Sequence, residues 1–149
     1  MTSPWPFAMW GLDIVGPLPT APGNRKFLFA ATDYFTKWVE AEALASIKEK
    51  DVKKFVWQNI ITRFGIPKAL ISDNGTQFDG RIFRGFCEEY KIEFYNSTPA
   101  YPQANGQAEA SNKVVWDGLK KRLEKAKGKW ADELPHVLWA YRTTPRRST

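Results

Sequence analysis

The run WGLDIVG at residues 10–16 sets an aspartate, Asp13, inside a short apolar stretch closed by Gly and Pro, and this constrains the fold more than any other feature. A run so short between turn residues reads as a buried strand. An ionised group is rarely buried without a partner, so the strand has to bring Asp13 to a place where its charge is used. Two more carboxylates stand in distinctive surroundings, Asp73 in LISDNGTQF and Glu109 in YPQANGQAEASNK, with thirty-five residues between them. Magnesium prefers hard oxygen ligands, and two ions about 3.5–4 Å apart can stabilise both the attacking and the leaving oxygen of an in-line phosphoryl displacement. Three carboxylates brought together would suit that chemistry.

The rest of the chain can be ordered around these acids. PLPTAPGNRK is dense in turn residues, and KFLFAATDYF then reads as the second strand of a hairpin. WVEAEAL alternates apolar and acidic residues, which predicts a third strand with one wet face. Val52, Phe55, Val56, Ile60 and Phe64 fall at helical spacing, and Gly65 with Pro67 ends that helix. KALIS gives a fourth strand that delivers Asp73 at its C-terminal end. A helix of about a dozen residues follows, with Phe78, Ile82, Phe83 and Phe86 as its buried stripe, and IEFYN is the fifth strand. STPAYPQANGQ is too polar and too broken for regular structure, and loops of this kind are often functional. A long helix from about residue 105 to 127 buries Ala108, Val115, Leu119, Leu123 and Ala126 and stops at Gly128. A last helix from about Trp130 to Tyr141 carries Leu134, Val137, Leu138 and Tyr141 at core spacing, with Pro135 tolerated in its first turns.

At 149 residues and 17.1 kDa the chain fits one domain, residues 1–149, able to bury about two thirds of the surface it exposes unfolded. One cysteine, Cys87, excludes an internal disulfide, and Cys87 with the single histidine, His136, cannot form a four-ligand structural zinc site. No apolar run approaches the ~20 residues of a membrane span, and the start lacks the pattern of a signal peptide, so an intracellular protein is expected. The net charge of +6 is local: residues 1–112 carry twelve Lys and Arg against twelve Asp and Glu, and residues 113–149 carry ten against four. Such a patch attracts phosphate backbones through counterion release, although a solvated helix face gives the same pattern.

On the long helix Glu109, Lys113, Trp116 and Lys120 share one face, beside the apolar stripe. If Glu109 holds metal, Lys113 and Lys120 are placed to contact the phosphates of a DNA strand laid along the helix. The alternative is an ordinary Glu109–Lys113 pair worth about 0.2–0.5 kcal/mol. Asp73 in DNG also suits a turn or helix cap. Asp33 and Thr36 sit at a turn, which argues for a structural role. His136 reads as a packing or surface residue, and Trp57, Trp130 and Trp139 as core or dimer surface.

The motifs WGLDIVGPLP, DYFTKWVEA, RFGIPKALISDNGTQF, YPQANGQAEASNK and LPHVLWAYRTTP, in this order and over nearly the whole chain, resemble the catalytic core of retroviral-type integrases, most closely those of plant Ty3/gypsy long-terminal-repeat retrotransposons. The resemblance implies an α/β, ribonuclease H-like fold: a five-stranded mixed sheet, its first three strands antiparallel, with helices on both faces. It implies catalytic and metal-binding roles for Asp13, Asp73 and Glu109, with Asp13 bridging two Mg²⁺ or Mn²⁺ ions when DNA is bound. Asn105, Gln107, Asn112 and Lys113 match positions that line the site or contact DNA. Pro102 and Gln103 match the active-site loop, and Tyr101 stands where many relatives have His.

The implied reaction is cleavage near the 3′ end of the element's DNA by an activated water, then attack of the freed 3′ hydroxyl on target duplex, with no covalent enzyme intermediate. The implied partners are retroelement ends, target DNA and a second copy of the chain, with higher oligomers in a full-length protein. The implied location is a virus-like particle in cytoplasm and nucleus. Family members resemble a three-part chain, so a zinc-binding domain before the core and a C-terminal domain after it are expected to be missing here. Two other readings stand: an inactive or domesticated module that dimerises and binds DNA, and a true ribonuclease H. The latter needs a fourth carboxylate near the last helix, where Asp132 and Glu133 lie.

Overall fold

A computed structural model describes residues 3–72, 76–96 and 117–144. Its five strands are β1 (Met9–Val15), β2 (Phe27–Asp33), β3 (Val39–Leu44), β4 (Ala69–Ser72) and β5 (Glu93–Asn96), in the sheet order β3-β2-β1-β4-β5. β1, β2 and β3 pair antiparallel, as hairpin connections allow, while β4 and β5 join in parallel through helical crossovers. The mixed five-stranded sheet expected from the sequence is therefore present, with helices on both of its faces.

Strand alternation sends side chains to two cores. Trp10, Leu12, Phe29, Ala31 and Leu70 face α1 (Glu49–Phe55) and α3 (Arg81–Glu89), where Val52, Phe55, Phe83, Phe86 and Cys87 meet them. Leu28, Ala30 and Val39 face the helix at residues 117–125, here α4, and α5 (Trp130–Thr143), through Leu119, Leu123, Trp130, Leu134 and Leu138. Burying an aromatic such as Phe55 completely makes its truncation to Ala cost about 3–5 kcal/mol. After α1 the chain continues as a π-helical stretch, Val56–Ile61, and closes with α2 (Thr62–Phe64), which ends at Gly65 with φ 91°. That left-handed backbone is the reason a glycine stands there.

Three expectations need correction. Glu40 does not lie on a wet face: it is 5% exposed, because β3 is covered on both sides, and it is paired with Arg63 and Arg142. Ile82 is 54% exposed, and Cys87 takes its place in the core. Phe78 belongs to a 3-10 turn, Thr76–Phe78, and α3 proper starts after Gly80, so the helical phase is reset between them. Trp57 and Trp139 are exposed, whereas Trp130 is fully buried and donates Nε1–H to Pro19 O at 2.6 Å.

Candidate active site

β1 has unlike neighbours on its two sides. β2 accompanies it along its length, with Asp13 opposite Ala30, but β4 pairs only from Met9↔Ala69 to Leu12↔Ser72. Asp13 is thus the first β1 residue past the end of β4. This marks another departure from expectation: Asp13 is half-buried, not enclosed, and among the described residues β4 does not extend alongside it. A cavity of about 220 Å³ opens there, lined by Asp13, Ile14, Phe27, Ile47, Gln77 and Phe78 among others. A carboxylate at such a notch keeps contact with water, which lowers the cost of its charge.

Asp73 and Glu109 lie outside the described residues, as do Tyr101, Pro102, Gln103, Asn105, Gln107, Asn112 and Lys113. Asp73 directly follows Ser72, a buried residue whose strand position pairs with Leu12, next to Asp13. Lys120 is half-buried on α4, between Leu119 and Leu123, which enter the core; Lys121, Arg122, Lys125, Lys127 and Lys129 are exposed around the corner between α4 and α5.

Among the described residues no group of three or more His, Cys, Asp or Glu side chains gathers to hold a metal ion. Cys87 is buried in the α1–α3 core, where burial pushes its thiol up to about 11, and His136 lies on the outer side of α5 against Trp139. Neither belongs to the Asp13 notch, so the donors on offer are oxygens, the set that magnesium and manganese favour. Asp132 and Glu133 are exposed in the first turn of α5, a helix that docks on β3 rather than on β1.

Asp33 has the structural role its turn position suggested. Fully buried, it accepts from Phe7 N–H at 3.1 Å, from Thr36 N–H at 2.9 Å and from the Thr36 hydroxyl at 2.7 Å. Gln77 and Ile47 line the notch without having been singled out in the sequence. Gln77 sits inside the DNGTQF motif, and a polar residue just past a strand end was the available signal. For Ile47 there was none, since its place depends on how the β3–α1 corner folds back.

The integrase core domain family model matches residues 4–102, a span that contains Asp13 and Asp73. The chain belongs to this integrase core domain family. Its relatives include the Gag-Pol polyprotein of koala retrovirus, 34% identical over 141 residues, or 94% of this chain and 8% of that protein. The Gag-Pol polyprotein of avian reticuloendotheliosis virus is 32% identical over 138 residues, covering 93% of this chain and 12% of that protein. The retrovirus-related Pol polyprotein from transposon 412 of Drosophila melanogaster is 26% identical over 133 residues, 89% of this chain and 11% of that protein. The integrase core thus spans about a tenth of the length of the curated relatives it matches. Its sheet and its layers are those of the ribonuclease H-like fold of integrase cores.

Proposed function

We propose that this integrase core cuts and joins DNA: it removes nucleotides near the 3′ ends of retroelement DNA and transfers the freed ends to a target duplex. The observation that carries the reading is the position of Asp13, half-exposed one residue past the Leu12↔Ser72 pair, with Asp73 the next residue after Ser72. A chain that keeps this register past Ser72 would set Asp73 beside Asp13, and Glu109 would complete the set. The oxygen-only character of the notch fits a divalent metal. Asp13, Asp73 and Glu109 would hold it, Asp13 serving two ions. When bound, Mg²⁺ or Mn²⁺ polarises the phosphoryl oxygens and lowers the pKa of the attacking water or 3′ hydroxyl. The chain's own part is position and charge: Asn105, Gln107, Asn112, Lys113 and Lys120 orient the strands, with Tyr101, Pro102 and Gln103 as the adjoining loop. The whole span 1–149 acts as one domain, working as a dimer on DNA in the virus-like particle and nucleus of a retroelement related to the plant Ty3/gypsy class.

The exposed position of Asp132 and Glu133 disfavours a ribonuclease H site with a fourth carboxylate. The test against a non-catalytic binding module is joining, or its reversal, on a branched DNA substrate. It is expected to need divalent metal and to vanish in Asp13→Asn and Asp73→Asn. DNA binding without any such activity in the unmutated chain would overturn the enzyme reading. In parallel, Mg²⁺ or Mn²⁺ should raise the unfolding midpoint of the unmutated chain more than that of Glu109→Gln, since a ligand specific to the native state stabilises by RT ln(1 + [L]/Kd). Equal shifts would remove Glu109 from the site.

A further inference from the structure

The helix α3 begins at Gly80, whose extended backbone (φ −77°, ψ 159°) is that of an N-cap but which has no side chain to offer. An N-cap side chain ordinarily accepts a hydrogen bond from the second or third amide of the helix. Here the third amide, Phe83 N–H, donates instead to Glu49 Oε1 at 2.6 Å, from the first turn of α1. The arrangement is reciprocal, because a Cβ built on Gly80 would collide with the Glu49 carboxyl group. A missing side chain on one helix and a carboxylate from the other occupy the same space. A negative group at this end of α3 also complements the helix dipole.

Glu49 is itself held firmly. Asp51 accepts from Lys48 N–H and from the Ser46 hydroxyl, both at 2.9 Å, which fixes the corner where α1 starts. Val52 and Phe55 anchor the following turns in the core. On the other side, Phe83 carries the restraint to Phe78 through an edge-on ring contact at 5.6 Å, and Phe78 meets Phe29 of β2 at 6.1 Å. Phe78 and Gln77 line the Asp13 notch together with Ile47, two residues before Glu49. The β3–α1 corner therefore grips both the notch and the start of the helix that follows the Asp73 segment.

We propose that Glu49 is a positioning residue for the Thr76–Phe78 turn: it supplies the N-cap that Gly80 lacks and so fixes that turn against the Asp13 notch. The proposal rests on the reading of that notch as the metal site, and its test separates the two. Glu49→Ala, Gly80→Ser and the double variant are compared in the 149-residue chain by urea unfolding, by amide exchange over residues 73–83, and by the Mn²⁺ concentration that gives half-maximal stabilisation.

Glu49→Ala should speed exchange over 73–83 more than in β1 or β2 and raise the half-maximal Mn²⁺ concentration by about tenfold, the lower end of what removing a group that supports a metal ligand costs. Gly80→Ser alone should destabilise, since its Cβ meets Glu49. In the Glu49→Ala background the same serine should restore exchange protection and the Mn²⁺ response, because its hydroxyl provides the cap and the clash is gone. Independent, additive effects of the two substitutions overturn the proposal. So does unchanged exchange over 73–83 in Glu49→Ala, or an unchanged Mn²⁺ midpoint alongside lowered stability, which marks a purely structural contact. If the unmutated chain shows no Mn²⁺ response, the metal-site reading fails, and exchange with the double-variant rescue still decides the role of Glu49.

Discussion

At the end of β2, Asp33 keeps a carboxylate wholly out of water and satisfies it with three donors, two from Thr36 and one from the Phe7 amide. The last of these ties the segment before β1 to the β2–β3 turn, twenty-six positions away. Truncation strands all three donors, so Asp33→Ala should cost about 2–4 kcal/mol in urea unfolding, above the ~1 kcal/mol of an average substitution. Glu42 presents a different balance. Burial raises its carboxyl above the ordinary range against the opposing pull of Lys54. A raised native pKa means that the folded state holds the proton more tightly, so this group's stabilisation is present below the unfolded value of about 4.3 and is lost as pH rises through the folded one. Glu42→Gln should therefore gain stability over the unmutated chain at pH 7 and lose that advantage towards pH 4. A constant difference across the range would contradict it.

Among the elements, α5 is joined to the sheet edge by polar contacts as well as by its apolar stripe. Tyr141 donates its hydroxyl to Lys37 O at 2.9 Å, Arg142 bonds Val39 O and Glu40, and the Arg142 guanidinium lies 4.1 Å from the centre of the Trp38 ring. Glu40 also takes Trp38 Nε1–H at 2.5 Å and Arg63 at 3.1 Å, so one acid on β3 connects α2 and α5. Arg142→Ala removes a partner of a buried charge together with its stacking on Trp38, and stability should fall by about 2–4 kcal/mol. A calorimetric transition unchanged within error would show that Arg63 and Trp38 suffice for Glu40. The pattern WVEAEAL predicted the strand but not this hub. Alternation tells which residues share a face, and only the arrival of α5 and α2 tells whether that face is wet.

For the molecule as a whole, the basic excess of the last quarter becomes a surface: Lys121, Arg122, Lys125, Lys127 and Lys129 are all exposed, while Leu119 and Leu123 hold α4 on the sheet. If this surface follows a duplex, replacing Lys121, Arg122 and Lys125 by Gln should weaken binding to unrelated DNA sequences alike. The salt dependence should become shallower by about 0.9 in log–log slope for each phosphate that is no longer neutralised. An unaltered slope would leave these residues as a solvated face. Among the described residues no helix is long and apolar enough to cross a membrane.

The sequence by itself determined the order of the five strands, the strand that carries Asp13 and the two apolar stripes of α1 and α5, because these depend on local periodicity and on turn residues; of the helix expected over 105–127, the part before residue 117 lies outside the described residues. It also held the five motifs that mark an integrase core. The tertiary structure decided what depends on residues far apart in the chain. Asp13 is half-open just past the Leu12↔Ser72 pair, Glu40 is buried because two helices cover it, and Ile82 is exposed because a 3-10 turn resets the phase of α3. The pairing of Glu49 with Gly80 belongs to the same class. A helix that begins with a bare glycine looks uncapped in one dimension, and its cap arrives from thirty-four residues away.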